Sequence, residues 1–376
     1  MTSESSFFET DFRQDLRRKS LQPVHVTIMP YDTSNLSKGK TKMNNKYIFS
    51  FLAIAILFLI APVSLISART NSGQYKGKPG PFQVATIKYD WHDAARNRDI
   101  PVKIYYPKTG NGPFPVIIFS HGLGGSRDSY PYLGEHWASY GYVSVHVQHP
   151  GSDTAVWKGV DNPRKSMKRA IANPKNAIDR PKDISYAIDQ MEKLNVTNSP
   201  LKGRLDLKNI GVAGHSFGSH TTLLIAGELI IAFKKEISYV DPRVKAVIAM
   251  SPTSTRKTNL DEIFGKIKIP VFYMTGTKDL SPINDTQASE RRIPFDHING
   301  VDQYLLILKD GDHMVFAGIQ RLKGGENDKL YQDLILQSST AFWDAYLKNV
   351  PTAKSWLTNG SFEKEIDGNG TLEKKE

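Results

Sequence analysis

The chain is 376 residues long, contains no cysteine, and carries 49 Lys/Arg against 38 Asp/Glu, a formal net charge of +11. Without a thiol, disulfides, thiolate metal sites and a cysteine nucleophile are all excluded. The basic residues are interspersed with acids and form no stripe with interleaved aromatics, so nucleic acid is not an expected partner.

The first 68 residues read as lying outside the fold. Residues 1–42 are polar and unpatterned, as an extension produced by an upstream start codon would be. Met43-Asn-Asn-Lys46 looks like a natural start. Tyr47 to Ala68 is almost unbroken apolar sequence, preceded by Lys42 and Lys46 and followed by Arg69. A basic flank, an apolar core and a small-residue exit describe an export signal at 43–68. A run of about 20 apolar residues also suits an uncleaved membrane anchor. The expected destinations are therefore periplasmic or secreted, or tethered to a membrane through residues 47–68.

The rest fits one large α/β domain over residues 69–358, followed by a polar, glycine-rich tail at 359–376 that is expected to fray. Val84 to Trp91 and Ile100 to Tyr106 form a predicted hairpin around the charged turn Asp93–Arg98. Pro115-Val-Ile-Ile-Phe119 is a continuous apolar run, the pattern of a strand buried on both faces. It ends in Ser120-His-Gly-Leu-Gly-Gly125. A helix is expected over Tyr130 to Tyr140, then a strand over Tyr142 to Val147 ending at His149-Pro-Gly151. Residues 151–180 read as a polar, irregular insertion on the substrate side. Pro181 to Leu194 reads as an amphipathic helix with proline in its first turn. Further strands are predicted at Val244 to Met250, Ile269 to Thr275 and Gln303 to Leu308, with a closing helix at Leu330 to Lys348. Strand and helix alternate from Val116 onward. That pattern implies a mostly parallel sheet with helices on both faces and ligands at the carboxyl ends of the strands.

The most informative segment is Asn209-Ile-Gly-Val-Ala-Gly-His-Ser-Phe-Gly218. It reads as an apolar strand that breaks at glycine, presents Ser216, and restarts as a helix over Ser219 to Ile231. This is the context of a nucleophile elbow. A serine hydroxyl needs a base within hydrogen-bond reach, and the base needs an orienting carboxylate. His313, directly after the last predicted strand, is the preferred base; His297, in the loop before that strand, is the weaker alternative. Asp279, in the turn Gly276-Thr-Lys-Asp-Leu-Ser-Pro282, is the preferred acid. Asp261 competes for that role, whereas Asp310 and Asp312 suit turn formation better. Two backbone N–H groups are expected to receive an oxyanion, those of Phe217 and Leu123, the second carried by the His121–Gly125 loop with Gly122 beside the substrate. His121 is expected to order that loop. His149 and Trp157 are candidates for lining the substrate pocket, and Trp157 serves equally well as a packing residue. No spacing of a recognised metal site is present, so neither metal nor cofactor is expected.

Phe119-Ser-His-Gly-Leu-Gly124 together with Gly214-His-Ser-Phe-Gly218 resembles the platelet-activating-factor acetylhydrolase group. The stretch from His121 through His149-Pro-Gly-Ser-Asp153 resembles bacterial proteins labelled predicted dienelactone hydrolases. These share the α/β-hydrolase fold with cutinase-like polyester hydrolases and chlorophyllases. The resemblance covers roughly Phe82 to Leu357. It implies a serine carboxylic-ester hydrolase with Ser216 as nucleophile, His313 as base, and Leu123 and Phe217 as oxyanion donors. Dienelactone hydrolases proper use a cysteine nucleophile, which this chain does not contain. Animal acetylhydrolases carry their acid just after the strand matching Val244–Met250, where this chain reads Ser251-Pro-Thr253; its acid position resembles the cutinase-like members, at Asp279.

The leading expectation is hydrolysis of short acyl or lipid-like esters through an acyl-enzyme on Ser216. An interfacial lipase, phospholipase or polyester hydrolase is the second reading. A catalytically silent binding protein on the same fold is the third.

Overall fold

The computed structural model describes residues 75–232, 235–253, 258–318 and 325–376. The segments 1–42 and 43–68 singled out in the sequence lie outside the described residues. Among the described residues no helix is long and apolar enough to cross a membrane.

The core is a nine-stranded sheet. Strands β1 (Val84–Asp93) and β2 (Arg98–Pro107) form the expected hairpin, with His92 opposite Asp99 and Asp93 opposite Arg98. Next come β3 (Phe114–Ser120), helix α1 (Pro131–Ser139) and β4 (Val143–Val147). Helices α2 (Pro163–Ala172) and α3 (Pro174–Val196) precede β5 (Leu205–His215) and helix α4 (Phe217–Ala226). A small separate ribbon follows, β6 (Ile230–Ala232) with β7 (Lys235–Ile237). The chain then runs through β8 (Val244–Met250), α5 (Leu260–Phe264), β9 (Val271–Lys278), α6 (Ile293–His297) and β10 (Gln303–Asp312). It closes with α7 (Asp328–Leu347), α8 (Pro351–Thr358), α9 (Ser361–Ile366) and β11 (Gly370–Lys375). The sheet order is β1-β2-β4-β3-β5-β8-β9-β10-β11. The six strands from β4 to β10 are parallel to one another, and β2 and β11 run antiparallel at the two flanks.

The sequence dictates this layering through the two-residue period of its strands. In β3, Ile117 and Phe119 face one apolar layer while Val116 and Ile118 face the other. Ala213 and Val212 divide in the same way in β5, as do Ile248 and Val247 in β8. Both layers are covered by helices: Trp137 of α1 packs edge-on to Trp343 of α7 on one face, and Ile184, Ile188 and Met191 of α3 join Leu223 and Ile225 of α4 on the other. A central strand buried on both sides must be apolar throughout, which is why β3 reads as an unbroken hydrophobic run.

Three expectations are corrected. Residues 151–180 are not irregular. They contain a short 3-10 turn at Thr154–Val156, all of α2, and the start of α3. Each helix begins the same way, with an asparagine followed by proline: Asn162 Oδ1 accepts from Lys165 N at 3.0 Å, and Asn173 Oδ1 accepts from Lys175 N at 3.0 Å. An asparagine cap satisfies a free N–H of the first turn, and proline at the first helical position gives up an N–H that would have had no partner. Pro181 therefore lies inside α3 rather than at its start. An interior proline costs roughly 3 kcal/mol, and the helix runs through it because Asp179, Arg180 and Asp183 on either side are buried in polar contacts.

The third correction is the tail. Residues 359–376 form α9 and β11, and β11 pairs with β10 from Gln303–Lys375 to Leu308–Gly370. Phe362 and Ile366, four residues apart on α9, are buried in the core beside Trp356. Arg292 adds an ion pair to Glu373 at 2.8 Å. The open edge of β10 offers a row of unpaired backbone groups, and the tail completes it.

Candidate active site

Strand ends position the side chains. Ser216, Asp279 and His313 are each the first residue after their strands, β5, β9 and β10, and all three strands point the same way. His121 stands at the corresponding place after β3.

Ser216 occupies the turn between β5 and α4 with φ 56° and ψ −118°, a conformation that costs a non-glycine residue on the order of 1–3 kcal/mol. Close packing on both sides enforces it. A side-chain carbon on Gly214 would sit 2.2 Å from Gly218 O, and one on Gly218 would sit 1.9 Å from Ser120 O. Neither position accepts anything but glycine, so the strand, the turn and the helix approach as closely as backbones can.

His313 Nε2 lies 3.0 Å from Ser216 Oγ, and His313 Nδ1 lies 2.8 Å from Asp279 Oδ1. Arg291 NH2 also approaches Nδ1, at 3.4 Å. An ionised carboxylate only accepts, so Nδ1 carries the proton and donates to Asp279; the Arg291 approach is then a contact and not a hydrogen bond. Nε2 is left to accept from the serine hydroxyl. Asp279 is fully buried and also accepts from Thr275 Oγ1 at 2.9 Å. Burial pushes its carboxyl up, but the His313 hydrogen bond and the Arg291 guanidinium outweigh that and hold it below the usual carboxylate range. Arg291 NH2 sits 3.2 Å from Asp279 Oδ1, Nε donates to Asp279 O at 3.1 Å, and NH1 donates to the carbonyls of Ser251 and Pro252. One buried guanidinium thus ties the acid to the end of β8.

The competing residues are occupied elsewhere. His297 and Asp261 pair with each other at 2.7 Å near the surface. Asp310 pairs with Lys278 at 2.9 Å, and Asp312 accepts from Met314 N at 2.9 Å, a turn contact.

The glycine loop lies against Ser216. A side-chain carbon on Gly122 would be 3.4 Å from Ser216 Cβ. Gly125 N donates to Gly122 O at 3.0 Å and Gly124 N to Ser152 O at 2.8 Å, while the Leu123 amide between them makes no hydrogen bond among the described residues. Phe217 opens α4, and the first-turn N–H groups of a helix have no acceptor within it. His121 is buried, its Nδ1 bonded to Gly122 O at 2.7 Å and its Nε2 accepting from His149 N at 3.1 Å. Burial, then the Arg180 charge, push its pKa well down. A neutral, buried ring with both nitrogens engaged holds the loop.

Of the two pocket candidates, His149 is corrected. It is 0% exposed, with Nδ1 3.0 Å from Asp183 Oδ2 and Nε2 3.0 Å from Ser120 Oγ. Burial and three nearby arginines push its pKa well down, so it is a neutral ring donating to a carboxylate from within the scaffold. A histidine at a strand end reads alike in sequence whether its ring faces the cleft or the helix behind it. Trp157 is 42% exposed and donates through Nε1 to Gly124 O at 2.7 Å. It packs on the glycine loop together with Met167 of α2.

Three arginines and a tyrosine escaped the sequence reading. Arg180 and Arg291 are fully buried beside the site, and Arg98 binds Asp183. Tyr130 OH bridges His215 Nδ1 at 2.8 Å and Gly122 N at 3.4 Å, and the His215 ring packs on the His313 ring with centroids 4.6 Å apart. Lone arginines carry no spacing signal. His215 could have been suspected from its place inside the elbow.

The profile of the "Platelet-activating factor acetylhydrolase, isoform II" family matches residues 92–182, from the hairpin turn into α3. Platelet-activating factor acetylhydrolase of Cavia porcellus is 25% identical over 284 residues, covering 66% of this chain and 61% of its own length. Cutinase cut1 of Thermobifida fusca is 24% identical over 245 residues, covering 62% of this chain and 63% of its own length. Cutinase est1 of Thermobifida alba is 27% identical over 155 residues, 41% of this chain and 40% of its own length. This chain has the α/β-hydrolase fold. It spans less than two thirds of the length of the acetylhydrolases and cutinases it matches. Within the α/β-hydrolase sheet, the Ser216–His313–Asp279 line lies at the carboxyl ends of the parallel strands, the location where ligands bind in open α/β sheets.

Proposed function

We propose that the protein is a serine carboxylic-ester hydrolase acting on short-chain acyl or lipid-like esters. The observation that carries this is the unbroken line from Ser216 Oγ through His313 to Asp279, at 3.0 and 2.8 Å, on a strained turn. The kinship to acetylhydrolases and cutinases supports the ester as the substrate class.

Ser216 Oγ attacks the ester carbonyl while His313 Nε2 takes its proton. Asp279 holds the Nδ1–H tautomer and stabilises the imidazolium. The carbonyl oxygen becomes an oxyanion received by the amides of Leu123 and Phe217, each such donor contributing on the order of 3 kcal/mol to the transition state. The alcohol leaves with the proton from His313. Water, deprotonated by the same ring, then attacks the acyl-enzyme and restores Ser216. Gly122 and Trp157 border the acyl or alcohol group, and the segment 151–180 forms that side of the pocket.

A specific observation favours aggregated or polymeric esters as a second reading. Leu280 and Met314, the neighbours of Asp279 and His313, are 56% and 39% exposed. Exposed apolar residues beside a site suit adsorption to an ester surface. This reading predicts a jump in rate when the substrate forms micelles. For location we propose export, with residues 43–68 as the signal or as a retained membrane anchor.

Fluorophosphonate labelling with peptide mapping, followed by a chain-length series of p-nitrophenyl esters, tests the proposal. Label on Ser216 with preference for acetate or butyrate supports a short-chain esterase. An unlabelled protein sinks the hydrolase reading and leaves a silent binding protein on this fold.

A further inference from the structure

Arg180 sits in α3 and is fully buried, yet among the described residues its guanidinium makes no hydrogen bond or ion pair to a carboxylate. Its hydrogen bonds go to neutral oxygens: Nε to Thr221 Oγ1 at 2.9 Å, NH1 to Ser152 Oγ at 2.8 Å, and NH2 to Ser120 Oγ at 3.0 Å and to the His121 carbonyl. A buried charge without a carboxylate partner is costly, and its contacts show what it holds. His121 O and Ser120 Oγ mark the start of the glycine loop. Ser152 anchors the loop's far side, because its carbonyl receives Gly124 N–H. Thr221 Oγ1 in turn donates to Phe217 O at 3.1 Å, and the guanidinium carbon lies 4.5 Å above the Phe217 ring. Both amides assigned to the oxyanion therefore belong to segments held by the same planar fork. Burial lowers the Arg180 pKa to about 9, so the group stays charged at neutral pH.

We propose that Arg180 is a positioning residue that fixes the distance between the Leu123 and Phe217 amides, and with it the oxyanion site. The proposal rests on the ester-hydrolase reading above. Lysine cannot replace the fork, since an ammonium is a point charge without its fixed array of five donors. The two segments follow β3 and open α4, and Arg180 contacts both of them and Ser152 as well.

The test uses Arg180→Lys, Arg180→Met and Thr221→Val, each checked for its unfolding temperature. We measure kcat and KM on p-nitrophenyl acetate and the inhibition constant of a trifluoromethyl ketone, whose serine adduct carries an oxyanion. The expected result for Arg180→Lys is a kcat about 100-fold lower with KM within about threefold, the range seen when one oxyanion donor is lost. Inhibitor affinity should fall in parallel with kcat/KM, as it must for a transition-state analogue. A purely structural role would lower the folded fraction without that correlation. Thr221→Val, which keeps the shape and removes one link, should lose about tenfold. The proposal is overturned if Arg180→Lys and Thr221→Val keep kcat within twofold of wild type. If Arg180→Lys does not fold, an unchanged kcat in Thr221→Val overturns it alone. A wild-type protein that fluorophosphonate leaves unlabelled removes the hydrolase reading, and this proposal with it.

Discussion

Arg291 grips Asp279 at both ends, its NH2 3.2 Å from the carboxylate and its Nε donating to the backbone carbonyl at 3.1 Å, with both side chains fully buried. The pair is one of the contacts that set which way the Asp279 pKa moves. Burial alone would raise it; the His313 hydrogen bond and Arg291 bring it down. A carboxyl depressed in the folded state stabilises the protein above its unfolded pKa and loses that contribution as pH falls through the folded pKa. Removing Arg291 leaves His313 to oppose burial, so the folded pKa rises and the loss begins at higher pH. Arg291→Met is expected to cost about 3–5 kcal/mol, the range for breaking a buried pair. The acid limb of kcat/KM should shift upward. Thermal unfolding and kcat/KM measured between pH 4 and pH 8, on the order of the carboxylate-to-histidine range, check both; a superimposable acid limb would show that Arg291 does not tune Asp279.

Asp279→Asn separates charge from shape. An asparagine amide can donate to Nδ1, which favours the tautomer with the proton on Nε2, where it cannot accept from Ser216. The expected loss is about 10⁴-fold in kcat with fold and substrate binding retained. Ser216→Ala should abolish turnover of p-nitrophenyl acetate altogether. Full activity in either variant, measured on protein free of wild-type contamination, would remove the proposed mechanism.

Much of this arrangement could be read from the chain, for a physical reason. Strand ends in a parallel sheet are marked by an apolar run that stops at glycine, aspartate or histidine. The side chains that the fold brings together are those standing at such stops: Ser216, Asp279 and His313. What could not be read was direction. His149 stands at a strand end as well, but turns back toward Asp183. Arg180 and Arg291 work through contacts across 28 to 60 and 12 to 40 positions of sequence, which no local pattern encodes. The helices in 151–180 had a legible signal within a stretch that reads as polar and irregular: Asn162-Pro163 and Asn173-Pro174 are two helix starts. In the tail, Phe362 and Ile366 are a single i, i+4 pair, too short to stand out against the glycines around it.

The tail carries its own prediction. Deleting residues 359–376 uncovers the site of Phe362 and Ile366 and reopens the β10 edge. Each buried side chain of this kind contributes roughly 1.5–3 kcal/mol, so the truncated protein should lose about 3–6 kcal/mol and become prone to aggregate through β10. Denaturant unfolding of the two forms, with light scattering of the native state, gives the comparison. A tail that merely frays would leave both unchanged.

Trp157 offers a way to separate packing from function in the insertion. Its indole N–H holds Gly124 O at 2.7 Å, and its ring covers the turn that carries Leu123. Because the side chain is 42% exposed, its removal uncovers little apolar surface, and Trp157→Ala should shift the unfolding temperature by only a few degrees, on the order of 1 kcal/mol. The Leu123 amide depends on the conformation of that turn, so kcat/KM on p-nitrophenyl acetate should fall about tenfold. Trp157→Phe keeps a ring over the loop and deletes the hydrogen bond. If it behaves like Trp157→Ala, the bond to Gly124 is what matters; if it behaves like wild type, the covering ring is. If chain-length preference changes in Trp157→Ala while acetate turnover stays level, Trp157 lines the acyl pocket and leaves the Leu123 turn alone.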